Sequence, residues 1–222
     1  MPPIVSACRA AFFFFTRIPV GGFPYSPEQW RWASGWFPFV GFVIGAAMAA
    51  VWLAVANAGA LPAAALATGV GMLLTGAFHE DGMADTADAL GGVVDREKVF
   101  DILKDSRIGA FGAACLFITL ILRISLLARF GELSPGTVPA LIILSQGLAR
   151  TPPVWLMAVI PYVTVDDTSK SKLVTRAGYG QALLATVWTA AGLGVVLFLG
   201  AITVGESTAG ILATSTVTLF LG

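Results

Sequence analysis

The sequence predicts an all-α integral membrane protein: a polytopic bundle of about six transmembrane helices with an acidic helical loop on the cytoplasmic side. Three observations predict it. Of 222 residues, 57% are hydrophobic and only 12% charged, with a mean hydropathy of +0.84, whereas about a quarter of the residues of a soluble domain are charged. Five apolar stretches each hold the roughly 20 residues that a spanning helix needs. When those stretches are threaded alternately through a bilayer, the basic residues collect on one side. Length and hydropathy together suggest a single membrane-embedded domain over residues 1–222. The formal net charge of +0 gives no reason to expect a nucleic-acid partner. Cys8 and Cys115 lie far apart in apolar surroundings, which indicates neither a disulfide framework nor a cysteine metal site.

Taken in order, Ile4 to Phe15 reads as an amphipathic or partly inserted helix, too short and too soon followed by Arg17 and Pro19 for a cleavable signal. "RIPVGGFPYSP" is a Gly/Pro-rich loop, and Trp30, Trp32 and Trp36 are placed to form an interfacial belt before the first span. The spans are expected at Phe37 to Ala58, Leu61 to Phe78, Gly109 to Phe130, Thr137 to Val163 and Gln181 to Val204, with an apolar terminal piece from Thr208 to Gly222. "GFVIG", Gly41 to Gly45, is a small-xxx-small pattern that favours close helix packing. Arg123 and Arg150 fall inside apolar spans, where an ionisable group is costly and usually faces a bundle interior. Arg123 reads as structural or snorkelling.

Alternate threading puts Arg9, Arg17 and Arg31, then Arg96, Lys98, Lys104 and Arg107, then Lys170, Lys172 and Arg176 on one side, which is ten of the thirteen basic residues. The opposite loops, "NAGA", "GELSPG" and "GES", carry no Lys or Arg. Because basic loops stay inside, residues 79–108 are expected in the cytoplasm.

That central loop holds eight of the thirteen acidic residues, and "FHEDGMADTADALGG" packs Glu80, Asp81, Asp85 and Asp88 into nine positions. If the second span continues as helix, Asp81, Asp85 and Asp88 follow i, i+4, i+7 spacing and share a face, with Glu80 beside them. Carboxylates about 6 Å apart repel by roughly 1 to 3 kcal/mol per pair at intermediate dielectrics, and a cation reverses that sign. Hard oxygen ligands suit Mg²⁺, or Mn²⁺, which commonly uses a couple of carboxylates plus water and substrate phosphates. The competing reading is a merely solvated acidic face; the small residues Gly82, Ala84, Ala87 and Ala89 between the acids leave room for a bulky ligand instead. "VVDREKVFDILKDSRIG" reads as an amphipathic helix burying Val99, Ile102 and Leu103; its Asp101 and Asp105 repeat the i, i+4 carboxylate spacing, and Lys104 and Arg107 are near enough to hold phosphate. His79, the single histidine, suits a general base and an interfacial histidine equally.

These residues resemble a known signature. "FHEDGMADTADALGG" followed by "REKVFDILKDSRIGAFG", together with "FFTRIPV" and "GWFPFVGFVIG", closely resembles the cobalamin synthase family, the adenosylcobinamide-GDP ribazoletransferases, and Arg150 falls where that family places an arginine. Chains of that family continue into another Gly/Asp-containing segment and a last helix, whereas this one stops at "TLFLG". The resemblance implies a multi-pass enzyme of a bacterial or archaeal inner membrane, with its active site on the cytoplasmic face. It implies transfer of phosphocobinamide from adenosylcobinamide-GDP to α-ribazole or its 5′-phosphate, with release of GMP. It implies Glu80, Asp81, Asp85 and Asp88 as the catalytic and metal residues, with Mg²⁺ bound, and Arg150 as a substrate-binding residue; position in the chain adds Arg17, Lys104, Asp105 and Arg107 on the same side as substrate-binding residues, with a membrane-interface anchor as the alternative for Arg107. The bilayer is then an obligatory partner, and a homo-oligomer is compatible with the sequence. The acidic pattern is also like that of CDP-alcohol phosphotransferases, which together with prenyltransferases are the enzymatic alternatives. A small transporter is the non-enzymatic one, disfavoured because the carboxylates sit mostly outside the spans.

Overall fold

A computed structural model describes residues 3–91, 96–103, 105, 107–161 and 177–199. The described residues are helical throughout, with no strand among them. The helices are α1 (Pro3–Phe15), α2 (Pro27–Ala33), α3 (Phe37–Val55), α4 (Ala60–Thr75), α5 (Phe78–Gly91), α6 (Arg96–Ile102), α7 (Ala110–Leu133), α8 (Val138–Leu148), α9 (Thr151–Val159) and α10 (Tyr179–Phe198).

Ser26 starts α2 with a capping box: its hydroxyl accepts from the Gln29 amide, and the Gln29 side chain accepts from the Ser26 amide. A 3₁₀ turn at Ser34–Trp36 then passes without a break into α3. The result is one helical run of 32 residues, Pro27–Ala58, apolar beyond its first turns, about 48 Å long at 1.5 Å per residue and so longer than the roughly 30 Å hydrocarbon layer. It is the middle of the molecule, with α8, α4 and α10 packed against α3. The small-xxx-small expectation holds here. A Cβ on Gly41 would run into the Gln146 carbonyl, and one on Gly45 would lie 2.7 Å from Ile143 Cα, so only glycine lets the α3 and α8 backbones cross this closely. Val40, Ile44, Met48 and Trp52 fill the interior behind that crossing.

Two of the expected spans are interrupted. The second ends at Thr75, where Gly76 (φ 68°) and Ala77 (φ 59°) both adopt the left-handed conformation, and α5 leaves at 88° to α4. The fourth is split into α8 and α9 at Ala149 and Arg150, because Pro152 and Pro153 supply no amide to continue the α8 ladder and start a new helix instead. Three helices among the described residues are long and apolar enough to cross a membrane, Pro27–Ala58, Ala110–Leu133 and Tyr179–Phe198, or four if bent α4 and α5 make one span. About six is the expectation for the whole chain, of which the described residues supply three or four; Thr208 to Gly222 and the basic residues Lys170, Lys172 and Arg176 lie outside the described residues.

Aromatic packing also differs from expectation. Trp30 is not at an interface but in the core at 3% exposure, edge-on to Tyr25 and Phe13, and Trp36 packs against Phe39 and Trp188. Leu103, expected to be buried, is exposed just beyond α6. Cys8 and Cys115 are both free and half-buried.

Candidate active site

The left-handed pair at Gly76 and Ala77 makes the corner that everything else in the site surrounds. Its first consequence is a seat for the N-terminal segment. The Arg17 amide donates to the Leu74 carbonyl at 2.8 Å, and the Arg17 guanidinium lies so close over Gly76 that a side chain there would collide with it. Phe15 stacks face to face on His79, with ring centroids 5.4 Å apart and planes 7° from parallel. Arg17, expected to bind substrate, is thus brought to the start of the acidic helix.

Carrying four carboxylates and turned away from α4, α5 is too polar to lie in an apolar span by itself. Its acids do not share one environment. Asp81 is exposed and Asp85 half-buried, and both open on a pocket of about 570 Å³ lined also by Phe78, His79, Gly82 and Cys115. Burial and the like charges of Asp81 and Asp88 hold the Asp85 carboxyl above its ordinary value. Gly82 has open space where a side chain would be, while Ala84 and Ala89 are buried. The small residues of the signature therefore divide between pocket and packing.

Asp88 turns to α7. Its carboxylate accepts the Gly109 amide at 2.7 Å and the Gly112 amide at 2.8 Å, satisfying two of the unpaired donors at the N-terminus of α7. A Cβ on Gly112 would strike both this carboxylate and the Ala84 carbonyl. "RIGAFG" is thereby explained as the landing site of Asp88, a role that sequence reasoning missed and that the Gly109/Gly112 spacing next to a helix start signals.

Glu80 turns inward. It is 5% exposed, and its Oε1 lies 3.5 Å from Arg123 Nη1 of α7. Arg150, 6% exposed at the α8 to α9 break, donates through Nη1 to the Gln146 carbonyl at 2.9 Å and to Gln146 Oε1 at 2.7 Å. Glu80 and Arg123 both act electrostatically on Arg150, and both arginines act on His79. Glu80, Arg123, Arg150 and His79 are therefore one neighbourhood, drawn from α5, α7 and the broken fourth span.

Asp105 and Arg107 form an exposed bidentate pair, Nη2 to Oδ2 at 2.6 Å and Nε to Oδ1 at 3.0 Å, with the Arg107 side chain 86% exposed. Hydrogen bonds from Arg107 hold the Asp105 carboxyl below its ordinary value. Lys104, expected beside them as a phosphate ligand, lies outside the described residues, as do the side chains of Arg96, Glu97 and Lys98.

Among the described residues no three His, Cys, Asp or Glu side chains converge on a point that could hold a metal ion. The donor set still suits Mg²⁺: two carboxylates one helical turn apart, both open to the same pocket and crowded by like charge, leave coordination positions for water and phosphate oxygens.

Against known proteins, the family model described as cobalamin-5-phosphate synthase matches residues 7–222. Curated relatives named adenosylcobinamide-GDP ribazoletransferase include one from Albidiferax ferrireducens, 40% identical over 83% of this chain and 70% of the relative. Another, from Shewanella frigidimarina, is 39% identical over 86% of this chain and 74% of the relative. A third, from Vibrio cholerae, is 40% identical over 73% of this chain and 62% of the relative. No solved structure gives a significant match.

Proposed function

This chain belongs to the cobalamin-5-phosphate synthase family, and from that membership we infer that it is an adenosylcobinamide-GDP ribazoletransferase, performing the last assembly step of cobalamin biosynthesis in a membrane. A ribose hydroxyl of α-ribazole or its 5′-phosphate attacks the phosphorus attached to cobinamide. The bond from that phosphorus to the bridging oxygen breaks, GMP departs with the oxygen and its electron pair, and the hydroxyl proton passes to water. The product is adenosylcobalamin or its 5′-phosphate.

The observation that carries the reading onto this structure is that Asp81 and Asp85 open together on a pocket at the corner where Arg17 is seated. A diphosphate placed there meets two kinds of partner. Asp81 and Asp85 are the residues that would hold Mg²⁺, which supplies neutralisation of the diphosphate charge. Arg17 offers a planar guanidinium to phosphate oxygens, and Arg107 does so from the exposed rim once it exchanges Asp105 for substrate. Asp88 acts at one remove, since by capping α7 it fixes the face on which Asp81 and Asp85 stand. Glu80 and Arg150 form the interior wall of the same corner. The pocket faces the cytoplasm of a bacterial or archaeal cell, an orientation that the distribution of basic residues supports.

The test is turnover by the purified protein in liposomes. GMP release is expected only with both adenosylcobinamide-GDP and α-ribazole present, and only with Mg²⁺ or Mn²⁺. Release of CMP from a CDP-alcohol, with no GMP from the cobinamide substrate, would replace this reading by the phosphotransferase alternative.

A further inference from the structure

We propose that Arg123 is a positioning residue of this transfer: by engaging one oxygen of Glu80 it presents the other to the attacking ribose hydroxyl. The inference rests on the function proposed above.

Arg123 lies near the middle of α7, a helix long and apolar enough to cross a membrane, where a guanidinium is costly to keep. What it faces is Glu80, through Nη1 and Oε1 at 3.5 Å. The other carboxylate oxygen, Oε2, is buried and has no hydrogen-bond partner. A buried acceptor without a donor is rare enough to need a reason, and two are available.

One is that the pair simply fastens α5 to α7. These helices are already fastened, by the two Asp88 hydrogen bonds to Gly109 and Gly112 and by Ala84 against Gly112. Buried ion pairs are in any case weak sources of stability compared with apolar packing. The second reason is that Oε2 waits for a donor that arrives with substrate. Its surroundings fit that. His79, the preceding residue, and Asp81, the following one, both line the open pocket, so a ligand there reaches the first turn of α5. On the inner side stand Arg150, tied down by Gln146, and Arg123 itself. A neutral hydroxyl donor suits this place better than a further cation, because the Arg123 guanidinium already faces this carboxylate. Of the reactants, α-ribazole brings the hydroxyl that must be oriented toward phosphorus.

Arg123 therefore acts through Glu80 and does not touch substrate. Holding Oε1 fixes the carboxylate plane, and with it the direction in which Oε2 accepts.

The experiment measures GMP release by the full-length protein in liposomes for Arg123→Lys, Arg123→Gln, Glu80→Gln and the double variant Arg123→Gln/Glu80→Gln, with melting temperature as the control for folding. Arg123→Gln is expected to lower kcat by about 100-fold with KM for adenosylcobinamide-GDP nearly unchanged, and Arg123→Lys to recover about a tenth of the wild-type rate. The double variant is expected to be no slower than Glu80→Gln alone, since one residue works through the other. Should Arg123→Gln fail to fold, Arg123→Lys against Glu80→Gln and their combination gives the same comparison. Wild-type kcat in a folded Arg123 variant, or losses that multiply in the double variant, would overturn the proposal. Absence of GMP release by the wild-type protein would overturn the functional reading itself.

Discussion

Asp81 and Asp85 are the side chains on which the proposed chemistry turns, and they are also the easiest to test. Replacing either by Asn keeps size and removes the charge that a cation needs. Asp81→Asn and Asp85→Asn are expected to lower GMP release at least about 100-fold with unchanged melting temperature. EDTA should abolish wild-type turnover and excess Mg²⁺ restore it; full turnover in metal-free buffer would remove the metal from the mechanism. Arg107 gives a different test. Its partner Asp105 has a lowered pKa, so the pair's contribution is fully present above the ordinary carboxylate range and is lost only as pH falls through that lowered value. At neutral pH Arg107 is therefore held, and Asp105→Asn frees it. If Arg107 grips substrate phosphate, Asp105→Asn should lower KM for adenosylcobinamide-GDP, Arg107→Ala should raise it, and Arg107→Lys should resemble the Ala variant because Lys lacks the bidentate edge. Equal activity of Arg107→Lys and wild type would make Arg107 an anchor. Exposed as the pair is, none of these changes should move the melting temperature.

Between elements, the contact that decides the site is α5 on α7. Asp88→Ala deletes the cap on two α7 amides and is expected to cost about 1 kcal/mol, up to roughly 2, visible as a lower melting temperature. Gly112→Ala forces a methyl group against the Asp88 carboxylate and the Ala84 carbonyl and should cost about 1 to 3 kcal/mol. If either variant melts like wild type, the helices are not joined in this way. How far these contacts could be read from sequence is instructive. The shared face of Asp81 and Asp85 and the close crossing at Gly41 and Gly45 follow from periodicity and side-chain size, which are local properties. That Glu80 turns inward does not, because its partner Arg123 is 43 positions away and nothing in either segment names the other. The same holds for Asp88, whose receptors are amides and carry no side-chain signal. The split of the fourth span was visible only as "ARTPP", since consecutive prolines announce a break but not that Arg150 will be buried in it.

For the molecule as a whole, the apolar helices were legible from hydropathy, but where they break was not. A run of apolar residues says how far a chain can stay in lipid, and not whether a left-handed pair will turn it aside, as at Gly76 and Ala77. Orientation has its own test: in a background lacking Cys8 and Cys115, Thr86→Cys, exposed on α5, should resist an impermeant thiol reagent added outside intact cells and react after lysis. Labelling from outside would overturn the expected cytoplasmic orientation.

The seat of Arg17 on the corner also has a meaning in time. The strand of chain that closes the corner leaves the ribosome before the corner exists: the Arg17 amide bonds to the carbonyl of Leu74, about 60 residues later, or several seconds at 5 to 20 residues per second. During that interval Phe15 lacks the histidine it stacks on and Arg17 the glycine it covers. The corner is thus closed backwards, by the part of the protein made first, and a nascent chain cut short before residue 74 carries the arm but has nothing to hold.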